Sequence, residues 1–103
     1  MRKNDIRIMK MDRNNRSILM RALYADFCAN RGAGRPNEHY ADLIIKVHNT
    51  SPGKLPLNGA EFHLARNSLN NLRNARITAG GYADAADAAL LKLVKAKPPF
   101  WPF

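Results

Sequence analysis

Residues 58–78 have the sequence NGAEFHLARNSLNNLRNARIT, which is the clearest helix signal in the chain. Asn58 with Glu61 three positions later resembles a capping box, with Asn in the Ser/Thr position. Apolar residues then recur at helical spacing along a narrow, coiled-coil-like seam. The residues near this seam are Phe62, Ala65, Leu69, Leu72 and Arg76. We therefore expect a helix from Asn58 to about Thr78, and pairing of its seam with a second copy, a homodimer, stays an open alternative.

Outward from this helix, Gly80 and Gly81 are expected to end it, and an alanine-rich helix is predicted at 83–96. Asp84 and Asp87 near its start and lysines near its end complement the helix dipole. The short connection makes the two helices antiparallel neighbours. The residues expected to pack against the longer helix are Ala86, Ala89, Leu90 and Leu93.

Two more helices are predicted upstream, at 14–31 and 37–48. Asn14 and Asn15 are candidate caps of the first, and β-branched residues leave a strand as the alternative for the second. Residues 49–57 contain two prolines and a Pro-Gly pair, which predict a loop. The apolar stripe of the first helix is formed by Leu19, Met20, Leu23, Tyr24, Phe27 and Cys28.

The two ends of the chain differ in character from the middle. Residues 1–13 form a basic arm whose alternating pattern leaves a short strand, an extended arm and a helical lead-in open. Residues 98–103 form a tail rich in proline and aromatic residues. The expected fold class is therefore all-α, a small four-helix domain over 14–97 with a basic N-terminal arm and a Pro/aromatic C-terminal tail.

The charge of the chain limits its choice of partner. It has 17 Lys and Arg, 8 Asp and Glu and a formal net charge of +9. Residues 1–35 hold nine basic and three acidic residues, a net of +6. Charge at this density suits a polyanion or an acidic protein surface.

Composition points to a cytoplasmic globular domain. The hydrophobic fraction of 46% is ordinary for a folded protein. No run approaches the about 18 apolar residues of a membrane span, and no apolar segment of a secretory signal follows the basic N-terminus. Because Cys28 is the single cysteine, no internal disulfide can form, which favours a reducing compartment.

Catalytic and metal-binding patterns are sparse. His39, His48 and His63 do not form a His-x-x-x-His pair, and one cysteine cannot make a Cys-x-x-Cys pair. Cys28, on the apolar stripe of the first helix, is expected to be buried and unreactive. No Gly-x-Ser-x-Gly elbow surrounds any serine. We therefore expect no enzymatic activity, no metal and no cofactor.

The polar face of the 58–78 helix carries the strongest functional signal. Asn is a mediocre helix former that costs roughly a few tenths of a kcal/mol at each position. Asn and Arg are also the side chains that pair bidentately with adenine and guanine edges. A solvated face or a protein interface would use the same residues, so both stay open. The candidate nucleic-acid contacts here are Arg66, Asn70, Arg73 and Asn74.

The ends supply further candidates. Arginine binds phosphate or carboxylate bidentately, so the basic arm suits phosphate contact, with a merely solvated arm as the alternative. The aromatic tail either covers the core or docks in a partner's pocket. The arm candidates are Arg2, Lys3, Arg7, Lys10, Arg13 and Arg16, and the tail candidates are Phe100, Trp101 and Phe103.

Together these features predict a non-enzymatic nucleic-acid-binding or nucleic-acid-complex accessory protein, with DNA or RNA as its partner. The alternative is a small basic inhibitor or adaptor that docks on an acidic surface of a larger nucleic-acid-handling complex. An anionic membrane ranks below both, because the basic residues of the first helix are not confined to one face.

Overall fold

The computed structural model describes residues 6–96 as four helices and one two-stranded sheet. The predominance of helix is confirmed, and each predicted helix forms with ends within two residues of those expected. The candidates Arg2 and Lys3, and the tail 98–103 with its three aromatic candidates, lie outside the described residues. The elements in chain order are β1 (Arg7–Met11), α1 (Arg13–Gly32), α2 (Glu38–Asn49), β2 (Gly53–Leu57), α3 (Gly59–Thr78) and α4 (Asp84–Val94).

The sheet corrects the expectation that 49–57 is entirely a loop. β2 pairs with β1 in antiparallel register, and Pro56 lies opposite Ile8. In an antiparallel pair, alternate residues turn their N–H groups away from the partner, and an edge strand tolerates proline at such a position. The Pro52-Gly53 signal marks the entry into β2, where Gly53 has a φ of 142°.

Both strands contribute to the core. Met9 and Met11 of β1 and Leu55 and Leu57 of β2 are at most 2% exposed. Because side chains alternate along a strand, Lys10, which stands between Met9 and Met11, points to the face opposite the core and is exposed. Of the alternatives predicted for residues 1–13, the short strand is the one observed, and it spans Arg7–Met11.

The helices complete the core, and the predicted apolar seam of α3 is part of it. In α3, Phe62, Ala65 and Leu69 are buried, and Ala89 and Leu93 of α4 join them in the same cluster. The seam of α3 is thus covered by the chain itself. A homodimer through that seam would have to displace the chain's own core.

Side-chain caps fix where the long helices begin. At α3 the predicted capping box is present: Glu61 N donates to Asn58 Oδ1 at 2.8 Å, and Asn58 N donates to Glu61 Oε1 at 2.9 Å. At α1 the N-cap is Asp12, not Asn14 or Asn15 as expected. Asp12 Oδ1 accepts from Asn15 N at 2.7 Å, and Asn15 Oδ1 accepts from Asp12 N at 3.1 Å. α1 therefore begins one residue earlier than predicted.

Glycine ends α3 as expected. Gly80 has a φ of 79°, a conformation that costs glycine little, and its N–H donates to Ile77 O at 3.0 Å. Arg73 and Asp87 form an ion pair across this turn. The two residues are equally distant from Gly80 in the sequence. The pair joins α3 and α4 in the predicted antiparallel arrangement.

The sheet lies at the end of the bundle where α1 and α3 begin, since each strand runs directly into one of these helices. Lys46, near the end of α2, forms an ion pair with Glu61 in the first turn of α3, at 2.8 Å. Lys92, near the end of α4, lines a groove together with Lys10 and Lys54 of the two strands. Two helix starts, two helix ends and the sheet therefore meet at one end of the molecule.

Candidate nucleic-acid interface

An open groove at this end of the bundle is lined by four basic residues from four different elements. Lys10 comes from β1, Arg13 from the first turn of α1, Lys54 from β2 and Lys92 from α4. The groove has a volume of about 600 Å³. Its lining consists of Lys10, Met11, Asp12, Arg13, Pro52, Gly53, Lys54 and Lys92. We call these residues the basic groove.

The positive charge of the basic groove is not neutralised by carboxylates in the described residues. Its lining contains a single carboxylate, Asp12, whose Oδ1 is engaged by the backbone of α1. Within residues 6–96, the salt bridges are Lys46–Glu61 and Arg73–Asp87, and neither involves the groove. Four cations against one carboxylate leave a local excess of positive charge.

The register of the sheet makes this excess unfavourable in the unliganded chain. Lys10 and Lys54 are direct partners across β1 and β2, and both are exposed. Like charges directly opposite in an antiparallel pair are destabilising, on the scale of about 0.2–1 kcal/mol for such pairs. The adjacent start of α1 adds the partial positive charge of the helix dipole. A bound anion would relieve both effects.

Arg7, at the other end of β1, makes a different contact. Its guanidinium carbon lies 4.9 Å from the centroid of the Phe62 ring, a cation–π contact between β1 and α3. Arg7 does not line the basic groove. Of the candidate residues in the arm, the structure therefore brings Lys10 and Arg13 together and leaves Arg7 apart.

Arg16 is engaged by the end of α2. Its Nε donates to Thr50 O at 3.1 Å and to Val47 O at 3.3 Å, and its Nη2 donates to His48 O at 2.6 Å. These carbonyls belong to the last turn and cap of α2, where backbone acceptors lack helical partners. In this structure the guanidinium of Arg16 caps α2 instead of facing the basic groove.

Replacing Arg16 by Ala is expected to lower the free energy of unfolding by about 1.5–3 kcal/mol, because hydrogen bonds to a charged group are lost and carbonyls are left without a donor. Urea denaturation followed by circular dichroism measures this loss. Because its guanidinium does not face the basic groove, the folded variant should bind a ligand of that groove about as tightly as the wild type. Unchanged stability with much weaker binding would instead assign Arg16 to ligand contact.

The polar face of α3 is exposed in part. Arg66, Asn70 and Asn74 are exposed, and their side chains take part in no hydrogen bond or ion pair within residues 6–96. Arg73 is half-buried and paired with Asp87. Nothing in the described residues joins this face to the basic groove by a hydrogen bond or an ion pair.

Several residues of α1 differ in burial from what the sequence predicted. Tyr24 is 54% exposed and Cys28 is also exposed, so the expectation that Cys28 is buried is wrong. Ala22 is 1% exposed and takes the inward position beside Leu23. The apolar stripe is therefore rotated relative to the one predicted, and a small alanine was the signal that the prediction overlooked.

Lys54 and Lys92 were not predicted as site residues. They reach the groove only through the pairing of β2 with β1 and the position of α4, which are tertiary contacts. The local signal at Lys54 was a run of turn-forming residues, and at Lys92 it was a favourable helix C-terminus.

The described residues offer neither a metal site nor a membrane-spanning helix. Within residues 6–96, no group of three or more His, Cys, Asp or Glu side chains is arranged to hold a metal ion. In the same range, no helix combines the length and the apolar character needed to cross a bilayer. Comparison with protein-family models, curated proteins and solved structures gives no match.

Proposed function

We propose that this chain is a non-enzymatic nucleic-acid-binding or nucleic-acid-complex accessory protein whose basic groove contacts phosphates. The observation that supports this most strongly is the cross-strand pair of Lys10 and Lys54, joined by Arg13 and Lys92 around an open groove. Two lysines directly opposite each other lower the stability of the unliganded fold. Binding of a polyanionic ligand explains why two lysines occupy these positions.

The four cations suit a phosphate backbone in particular. Lysine offers a compact charge with three donors, and arginine offers a planar fork that binds phosphate bidentately. Contacts of this kind are independent of base sequence. The exposed Arg66, Asn70 and Asn74 of α3 are proposed as a second surface, which could reach base edges or a groove.

Lys54→Glu is expected to move stability and binding in opposite directions. Opposite Lys10, a carboxylate replaces cross-strand repulsion by attraction, so the free energy of unfolding should rise by about 0.2–1 kcal/mol. Affinity for a labelled oligonucleotide should fall, because one phosphate contact is lost and a like charge faces the ligand. Urea denaturation and fluorescence anisotropy measure the two effects.

Arg76→Glu is the matched control, since it makes the same change in net charge in the last turn of α3, outside the basic groove. It should lower stability slightly, because a carboxylate near a helix C-terminus is unfavourable, and it should affect binding much less. If both variants weaken binding equally, only the overall charge of the protein matters. That result would overturn the proposal that the groove is the site.

The alternative partner is an acidic protein surface. Binding of a second ligand distinguishes this alternative from nucleic acid. Poly-L-glutamate carries dense negative charge without phosphate or bases. If it binds the basic groove as tightly as an oligonucleotide, and Lys54→Glu weakens both equally, docking on an acidic protein becomes the better interpretation. Clear preference for the oligonucleotide supports the present proposal.

A further inference from the structure

The outward face of α1 is a stripe of polar, basic and aromatic side chains that the basic groove does not include. At 3.6 residues per turn, its members fall within an arc of about 80° around the helix axis. All of them are exposed. They are Arg13, Ser17, Arg21, Tyr24, Cys28 and Arg31. We call this set the α1 stripe.

The α1 stripe carries positive charge without a carboxylate. The single acidic residue within α1 is Asp26, which faces α3. Its Oδ2 accepts from Ser68 Oγ at 2.7 Å and from Asn71 Nδ2 at 3.2 Å. The three arginines of the stripe therefore face solvent without a counter-charge from their own helix.

The stripe is continuous with the basic groove, because Arg13 belongs to both. Arg31 lies 18 residues further along α1. With a rise of about 1.5 Å per residue, the stripe extends about 27 Å from the groove. Groove and stripe together form one positive track along the side of the molecule.

One aromatic residue of this track, Tyr24, is exposed and has a half-buried aromatic neighbour, Phe27. The Tyr24 ring stacks on that of Phe27, with 6.2 Å between ring centroids and 25° between ring planes. The carbonyl of Phe27 accepts a hydrogen bond from Asn37 Nδ2 at 3.1 Å, which ties this turn of α1 to the start of α2. Since Tyr24 is 54% exposed, part of its ring surface is open to a ligand.

We infer that the α1 stripe continues the basic groove into a binding track for single-stranded nucleic acid, with Tyr24 stacking on an unpaired base. This rests on the proposed function and makes it more specific. A positive track with an aromatic platform is the combination by which proteins bind single strands without sequence preference. A duplex hides its base faces within the stack, so Tyr24 would add little to duplex binding.

Tyr24→Ala tests the inference by fluorescence anisotropy with labelled oligothymidine and a duplex of the same length. Stacking of one base is worth about 1–3 kcal/mol, so the variant should bind the single strand about 5-fold to 150-fold more weakly, with duplex affinity nearly unchanged. Tyr24→Phe keeps the ring and should bind like the wild type. Tyr82→Ala removes a tyrosine that is 87% exposed at the α3–α4 connection and should also leave binding unchanged.

The outcomes distinguish this inference from the broader proposal. If Lys54→Glu weakens binding but Tyr24→Ala does not, the groove stands and the stacking role is wrong. The track is also wrong if the wild type binds the duplex more tightly than the single strand. If the wild type binds neither oligonucleotide, the proposed function fails and the track fails with it. Circular dichroism of each variant confirms that the fold is retained.

Discussion

Raising the salt concentration from about 50 to 200 mM is expected to weaken binding about 50-fold for a single strand and about 150-fold for a duplex. Each cation that neutralises a phosphate releases condensed counterions, and the logarithm of affinity then falls linearly with that of salt. For the four groove cations, the slopes are about −2.8 for a single strand and −3.6 for B-form DNA. Fluorescence anisotropy over a salt series measures them.

The α1 stripe makes the expected dependence steeper. If Arg21 and Arg31 also contact phosphates, six contacts give a slope of about −4.2 on a single strand. Neither arginine takes part in a salt bridge within residues 6–96, so both can contribute. Affinity that does not change over this salt range would contradict phosphate contact by either surface.

Leu55→Ala is expected to lower the free energy of unfolding by about 2–5 kcal/mol, the usual cost of truncating a fully buried leucine. Leu55 is 0% exposed and lies opposite Met9, which is also 0% exposed. Truncation removes apolar contacts and leaves a cavity between the sheet and the helices. For a domain with a total stability of about 5–15 kcal/mol, this is a large fraction. Urea denaturation followed by circular dichroism measures the loss.

Leu91→Ala provides the matched control, because the same side chain is removed from a position on α4 that is 53% exposed. Its effect should stay within about 0.5 kcal/mol. If residues 49–57 were only a surface loop, Leu55→Ala would be equally mild. Equal effects of the two substitutions would therefore show that β2 does not belong to the core.

The helices were predictable because their signals are local. Asn58 and Glu61 are three residues apart, and a capping box depends on nothing outside that turn. The glycines after α3 act through backbone conformation at a single position. The same local logic misplaced the start of α1, since Asp12 was taken as part of a basic arm.

The sheet was not predictable from such signals. β1 and β2 are separated in sequence by α1 and α2, and their pairing is decided by tertiary contacts. Pro56 argued against a strand because proline lacks an N–H, yet a two-stranded sheet has an outer edge on each strand that tolerates it. The core positions of Met9 and Leu55 follow from that pairing.

The candidate site was predictable in part for the same reason. Lys10 and Arg13 are close in sequence within a block of positive charge, and both line the basic groove. Lys54 and Lys92 belong to segments that have no local excess of positive charge. Only the fold brings them close to Lys10 and Arg13. Arg16 belonged to the same block, but its guanidinium is engaged by α2, which no local pattern indicated.

If the cations of the basic groove bind a polyanion, their removal must change how binding depends on salt. The most direct test compares the salt dependence of binding for the wild type and the double variant K10Q/K54Q, which removes two groove charges and relieves their repulsion. Loss of two phosphate contacts should make the slope shallower by about 1.4 on a single strand and about 1.8 on a duplex, with the fold at least as stable. An unchanged slope and affinity in a correctly folded double variant would show that the basic groove does not bind nucleic acid.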